Sequence, residues 1–306
     1  MLINLNASST LVIHLDENSL HAGFESDLRP LYTYQLPGSP ILDFNNKQQQ
    51  ITNTLWSLEQ ILHELIYQHL KIVPENLNVF FIKGEAHDYL SKTMLADLLF
   101  TNFNITSCLV FPETLAALYF TGLPSGLVFK RSLTTLSATP IYNGITLNET
   151  AYKCNFNTAT TDFKPYTKPT LSRIYKKFNQ AIQKECATVP DQKPRAQVAR
   201  DFGNQIALNA IQRTIQKCSI EIQPELYRNI VLIDNASAKC APIHIPSIEK
   251  MHAHHSIHVH KIEPSQYSSW MGGSNIATSI FLEEYWLDIL EYNEKGPAIL
   301  SDKWNF

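Results

Sequence analysis

Tyr267-Ser268-Ser269-Trp270-Met271-Gly272-Gly273-Ser274-Asn275-Ile276-Ala277 lies forty residues from the end of this 306-residue chain. Paired glycines directly after a tryptophan mark a place where backbone must come close to something else. The stretch runs on into an apolar segment, Leu282 to Leu290, whose Tyr285, Trp286 and Ile289 suggest one face of a helix. Glu291-Tyr292-Asn293-Glu294-Lys295-Gly296-Pro297 follows, and Phe306 ends the chain. Upstream, His255 to Ile262 alternates in polarity and predicts a strand.

Moving outward to the N-terminal side, Leu11-Val12-Ile13-His14-Leu15 predicts a buried strand ending at Asp16, and Leu31 to Pro40 an extended segment turning at Pro37-Gly38. Asn45 to Gln50 is a polar connector. Leu55, Leu58, Ile61, Leu62, Leu65, Ile66 and His69 fall on one helical face, in a helix from Leu55 to Leu70 that Pro74 stops. Asn78 to Lys83 predicts a strand, Tyr89 to Phe100 a helix and Leu109 to Phe111 a short strand. Pro112 suits the first turn of a helix, where its missing N–H costs nothing, and Gly122 ends that helix. Gly126 to Phe129 and Leu136 to Tyr142 form a strand–turn–strand unit, Val198 to Lys217 a helix and Asn229 to Asp234 a buried strand. The alternation of strands and helices indicates an α/β fold. Thr146 to Pro194 is polar and carries no readable pattern.

Apolar residues make up 44% of the chain and charged residues 17%, a globular balance with few charges for its size. A net charge of −3 leaves no basic footprint for nucleic acid. Cys108, Cys154, Cys186, Cys218 and Cys240 are scattered and odd in number, which argues against a disulfide framework or a zinc module. The N-terminus has no signal-peptide pattern, and no apolar run approaches the length of a membrane span. His252, His254, His255, His258 and His260 invite a metal reading, yet no cysteine or carboxylate joins them at ligand spacing. An exposed strand leading to Trp270 accounts for them, and no metal site is expected.

The tail from Tyr267 to Pro297 resembles the C-terminal end of actin and the actin-related proteins. There an aromatic-rich strand end meets a W-x-G-G-S turn, a helix follows, and E-Y-[DN]-E-x-G-P closes the chain. Shorter segments resemble the same family: Glu64 to Lys83, Phe100 to Gly126 with Leu118-Tyr119-Phe120-Thr121-Gly122, Pro140-Ile141-Tyr142-Asn143-Gly144, and Ile211 to Leu232. The resemblance implies an actin-like ATPase-domain fold of two lobes. Residues 1–145 would form the N-terminal lobe, subdomain 1 with a reduced subdomain 2. Residues 146–262 would form subdomain 3 with a reduced subdomain 4, and 263–306 would return to subdomain 1. About thirty residues join Phe24 to the helix at Leu55, with no comparable insertion for the small mobile subdomain that actin uses in polymerisation.

The same register implies where a nucleotide would sit, and the residues there have changed. The first phosphate hairpin, D-x-G-S-G-x-x-x-A-G-F in the family, is similar to Asp16-Glu17-Asn18-Ser19-Leu20-His21-Ala22-Gly23-Phe24, two residues shorter and without the inner glycines. Asp16 and Ser19 remain. The second hairpin, D-x-G-D-G, corresponds to Lys130, Arg131, Ser132, Leu133 and Thr134, so both aspartates and both glycines are replaced. The third loop, G-G-T, corresponds to Asp234-Asn235-Ala236. Gln266 stands where actin has a lysine near the base, and Glu113 where it has the glutamine that orients water. Glycine-bordered N–H groups and aspartates are what grip phosphates and hydrated magnesium. Their loss predicts no bound cofactor and no catalysis.

The resemblance therefore implies a non-catalytic structural subunit of a multiprotein complex. Trimming of subdomain 2, and the helix Ile61 to Leu70 with Val73-Pro74, resemble the actin-related protein at the pointed end of dynactin. The tail Glu291 to Pro297 is closer to actin and to nuclear actin-related proteins of chromatin remodellers, and a weak ATPase of the wider superfamily is a further alternative. Partners would be actin-like or actin-related subunits and other members of the complex, with no direct nucleic acid and no membrane. The compartment would be cytoplasmic and cytoskeleton-associated, or nuclear under the chromatin reading. In actin folds partner helices insert beside Tyr119 to Gly122 and the last helices, so Tyr119, Gly122, Ile276, Ile280 and Tyr285 are the candidate partner-binding residues, with core packing as the competing role.

Overall fold

The computed structural model describes residues 9–36, 47–132, 135–155, 207–235, 243, 245–250, 256–263 and 265–304. They divide into two compact units: Met1–Gly122 with Tyr267–Phe306, and Leu123–Gln266. The sequence placed the first boundary at 145. The strands just after Gly122 pair within the second sheet, which puts the division at Gly122.

The first unit is built on a mixed sheet in the order β12-β5-β4-β1-β2-β3. Its members are β1 (Thr10–Leu15), β2 (Ser19–Phe24), β3 (Tyr32–Gln35), β4 (Asn78–Lys83), β5 (Ser107–Pro112) and β12 (Leu287–Asp288). Parallel strands β1, β4 and β5 are continuous apolar runs because both of their faces are covered. Helix α1 (Lys47–His63) continues as a π-helical turn, Glu64–Leu70. Residues 47–50, expected as connector, are already helical, in keeping with the helix preference of lysine and glutamine. Asn45, Asn46 and the Pro37-Gly38 turn lie outside the described residues. The helix ends at Lys71, whose left-handed φ of 55° breaks it before Pro74 is reached. Leu58, Leu62, Leu65 and Ile66 are buried as predicted, while His69 is exposed. Helix α2 (Lys92–Asp97) starts later than Tyr89, because the Ser91 hydroxyl caps it by accepting the Met94 N–H at 3.1 Å. Helix α3 (Glu113–Phe120) follows β5 directly; Pro112 is its extended N-cap, and Gly122 at φ 73° closes it.

The second unit holds a sheet in the order β11-β10-β6-β7-β8. It comprises β6 (Gly126–Arg131), β7 (Thr135–Tyr142), β8 (Ile145–Thr146), β10 (Ile230–Asp234) and β11 (Val259–Lys261); β9 (Tyr152–Asn155) also pairs with β7. Helix α4 (residues 207–217) and α5 (Gln223–Arg228) cover it. Leu127, Phe129, Ile211, Ile215, Leu226, Tyr227 and Leu232 form its core. A short α6 (Ile245–Glu249) precedes β11, which is only three residues long against the eight expected. Residues 156–206, most of the unreadable polar stretch and the start of the predicted Val198 helix, lie outside the described residues.

The glycine-bearing segment is itself helical. Helix α7 spans Ser268–Ile276 and packs on α3, so the expected W-x-G-G-S turn is the middle of a helix. The reason is close approach. A Cβ on Gly272 would stand 1.8 Å from the Ala116 carbonyl oxygen, and one on Gly273 would stand 2.2 Å from Ile82 Cδ1. Trp270 is fully buried and donates its indole N–H to the Val12 carbonyl at 3.0 Å. Gly23 on β2 leaves room for that ring, since a Cβ there would lie 2.8 Å from Trp270 Cζ2. Ser274 Oγ donates within reach of the Phe24 and Asp27 carbonyls, 3.3 Å from each. Trp270 and Ser274 thus fasten the C-terminal segment to the first hairpin, while the two glycines seat it on α3 and β4.

The helix expected over Leu282 to Leu290 does not form. A 3-10 segment, Ile280–Tyr285, leads into β12, where Leu287 pairs with Cys108 at the sheet edge. Asp288 then caps α8 (Ile289–Lys295) by accepting the Glu291 N–H at 2.8 Å. Helix α9 (Ile299–Lys303) completes the unit, and Trp304 Nε1 donates to the Tyr285 carbonyl at 2.8 Å.

Candidate functional site

Two hairpins, one in each unit, carry the positions expected to hold phosphate. In the first, β1 and β2 pair through Leu15 and Leu20, and the Asp16 N–H donates to the Ser19 carbonyl at 2.9 Å. Only Glu17 and Asn18 lie between, so the turn is as short as a hairpin allows. Its outer edge is tied down as well. The Asn18 carbonyl accepts the Leu36 N–H at 2.9 Å, and His87 Nε2 lies 2.9 Å from the Asp16 carbonyl. Ser19 Oγ is 3.0 Å from His21 Nε2, whose Nδ1 is 3.1 Å from Thr33 Oγ1. Asp16 and Glu17 are buried.

Glu113, the first residue of α3, is buried in the same unit. Its Oε1 lies 3.1 Å from His14 Nε2, and its Oε2 accepts the Glu85 N–H at 3.1 Å. His14 faces His21 across the β1–β2 ladder. Sequence reasoning passed over His14. The available signal was a histidine inside an otherwise apolar strand, two residues before Asp16.

In the second hairpin, β6 and β7 close through Ser132 and Thr135. The Ser132 N–H donates to the Thr135 carbonyl at 2.9 Å, the Thr135 N–H donates to Ser132 Oγ at 3.2 Å, and the two hydroxyls are 2.6 Å apart. Lys130 is buried at the end of β6; Leu133 lies outside the described residues. Arg131 is committed to structure. Its guanidinium forks onto Asp234, Nε to Oδ1 at 2.8 Å and Nη2 to Oδ2 at 2.7 Å. Beside it, the Asn235 N–H donates to the Arg131 carbonyl at 2.8 Å and the Ile243 N–H to Asp234 Oδ2 at 3.3 Å. Bidentate pairing of this kind fixes geometry as well as charge, and here it locks the ends of β6 and β10 in register.

The candidate partner face belongs to the first unit. Tyr119 is half-buried, stacked 6.3 Å from Phe111. Burial raises the pKa of its hydroxyl, with Tyr285 adding to the effect. Gly122 is exposed, Ile276 half-buried and Ile280 70% exposed. The structure adds Phe281, 83% exposed, which the sequence reading did not single out. Leu282 points inward and is buried.

The Actin family model matches residues 48–205 and 191–305. The chain belongs to the actin family. Among its relatives is the Actin-like protein 7A of Rattus norvegicus, 21% identical over an alignment 290 residues long that takes in 80% of this chain. The chain spans 66% of the length of that protein.

An actin-family fold brings the expectation of a magnesium nucleotide, and the residues present do not fit one. The N–H groups at Asp16, Ser132 and Thr135 are used inside their own turns. No glycine stands in either turn among the described residues, so neither offers the glycine-lined backbone that lets N–H groups approach a phosphate. Asp16 remains at its loop position, and Asp234, which stands where the family has glycine, is held by Arg131. Of the predicted nucleotide-loop positions, Asp16, Ser19 and Glu113 fall in the first unit, and Lys130, Ser132, Asp234 and Asn235 in the second. Among the described residues no helix is long and apolar enough to cross a membrane.

Proposed function

We propose that this actin-family chain is a non-catalytic structural subunit of a multiprotein assembly. The observation that carries the reading is the closure of both phosphate hairpins on their own hydrogen bonds, with Arg131 engaged by Asp234. Purified chain titrated with millimolar magnesium ATP tests it directly. A ligand of the native state raises the melting temperature as its concentration passes its Kd. No shift is expected, and a rise of several degrees overturns the reading.

The preferred assembly is dynactin, with the chain capping the pointed end of its actin-related filament in the cytoplasm. The short passage from β3 to α1 supports this, since it leaves little chain for the mobile subdomain through which actin subunits continue a filament. Incubated in polymerising salt and centrifuged, the chain alone stays in the supernatant; filaments in the pellet refute the capping role. The alternative is a nuclear subunit of a chromatin-remodelling complex. The exposed Ile280 and Phe281 beside half-buried Tyr285 favour it, as an apolar surface suited to a partner helix. Affinity purification from cytoplasmic and nuclear fractions separates the two.

A further inference from the structure

We propose that His258 and His260 chelate one copper(II) ion at the edge of the second sheet. The two residues flank Val259, which turns into the core of that unit, so both imidazoles turn to the opposite face. Strand β11 pairs with β10 and stands at one end of the described sheet. The ladder reaches back to His258, whose carbonyl accepts the Ile230 N–H at 3.0 Å and whose N–H donates to the Tyr227 carbonyl at 3.3 Å. Backbone pairing therefore fixes the spacing from which both rings project.

The ring centres are 4.5 Å apart and the ring planes stand at 88° to each other. An ion about 2.0 Å from a nitrogen of an imidazole lies about 3.2 Å from the ring centre. Two rings with centres 4.5 Å apart then subtend about 90° at the ion. That is the angle between neighbouring positions of a square-planar ion, the geometry of copper(II) and nickel(II). Tetrahedral zinc, at about 109°, sets the centres about 5.2 Å apart. Imidazole suits all three ions, and copper(II) binds tightest in the divalent series. It needs neither the thiolate nor the carboxylate whose absence at ligand spacing speaks against zinc in the histidine run.

Edge-to-face packing accounts for the angle between the rings but not for their nitrogens. His260 is half-buried, and its Nε2 is shielded from water with no hydrogen-bond partner among the described residues. A buried polar atom left in that state calls for an explanation, and a bound ion supplies one. Burial, and then the neighbouring His258, lower the pKa of His260, so a proton does not compete for its lone pair at neutral pH. His258 is exposed and gives the ion its way in from solvent, with water filling the remaining positions. The bound ion joins the residue ahead of β11 to the strand itself, and so braces an edge only three residues long against β10.

Electron paramagnetic resonance of copper(II) is the probe, because nitrogen donors split its signal. Full-length chain is stripped with a chelator and titrated with copper(II) chloride, with glycine in excess to hold loosely bound copper. The expected result is one saturable equivalent that carries the splitting of two imidazole nitrogens and withstands equimolar zinc. His258→Asn and His260→Asn each remove one arm of the chelate and weaken binding by more than about 100-fold. His258 is exposed, so its variant keeps the fold, which near-ultraviolet circular dichroism verifies. A parallel chain with His252, His254 and His255 replaced by Asn keeps the equivalent. Absence of a saturable equivalent, survival of it in either single variant, loss of it with the other three histidines, a signal without two nitrogens, or displacement by equimolar zinc overturns the proposal.

Discussion

Gly272→Ala is the most direct test of why the C-terminal glycine pair exists. Its Cβ would lie 1.8 Å from the Ala116 carbonyl oxygen, 2.7 Å from the Ala116 carbonyl carbon and 3.2 Å from Phe120 Cβ. A carbon and a carbonyl oxygen normally approach to about 3.3 Å, so α7 must withdraw from α3 by about 1.5 Å. The obstacle is backbone, and no rotamer change relieves it. Overpacking costs about 1–3 kcal/mol, and the absence of a soft neighbour puts this site at the top of that range. Alanine returns about 1 kcal/mol through its helix propensity. The net loss is therefore about 2 kcal/mol, and it falls on the seat of Trp270, whose indole N–H reaches Val12. For a unit of this size that corresponds to a drop of about 4–8 °C in melting temperature. Urea unfolding followed by tryptophan fluorescence gives the free energy, with separate transitions fitted for the two units if they do not coincide. Gly122→Ala is the control: no atom lies within 4 Å of its Cβ, and only its φ of 73° opposes the change. It should cost about 1–2 kcal/mol through backbone strain alone. A Gly272→Ala protein within about 0.5 kcal/mol of the parent would refute the close-packing argument.

Asp234→Asn leaves the Arg131 guanidinium partly buried without its counter-charge, and should cost about 3 kcal/mol, read as an earlier unfolding transition of the second unit; a change confined to the first unit contradicts the assignment. Tyr285→Ala lowers partner recovery in affinity purification by more than about tenfold, the effect of an aromatic anchor worth about 2 kcal/mol, with a melting temperature shifted by only a few degrees; early melting with every partner retained makes Tyr285 core instead. Lys92, which donates to the Trp304 carbonyl, has its pKa lowered to about 8 by burial and then by Lys83. The unfolded chain binds the proton more tightly, so between about pH 8 and 10 stability rises with pH. Lys92→Met should flatten that rise, and an unchanged slope in urea midpoints across this window removes Lys92 as its source.

Much of the fold was legible because its signals are local. The apolar runs at Leu11 to Leu15, Asn78 to Lys83 and Asn229 to Asp234 are strands covered on both faces, and burial writes itself into such segments without help from distant residues. The loss of glycines from residues 16–19 and 130–134 was equally plain, since a phosphate-gripping turn depends on residue types at fixed spacing. Family membership followed from the tail, where a specific order of rare residues outweighs low identity elsewhere.

Tertiary structure alone decided the rest. The segment from Leu282 to Leu290 has helical composition, yet it becomes a 3-10 turn and an edge strand because β5 offers an unpaired edge there. The motif around Trp270 read as a turn, yet it is a helix whose glycines answer to Ala116 and Ile82, residues more than 150 positions away. That Arg131 belongs to Asp234 depends on β6 and β10 pairing in parallel across 103 positions of sequence. The meeting of His14 with Glu113 depends in turn on β1 and β5 flanking β4 in the sheet. Sequence periodicity records which face a residue turns toward the core, but not which distant residue meets it there. That second fact is set by strand order, and it is why the chain announced its family and its altered loops while leaving its buried polar cluster to be found in three dimensions.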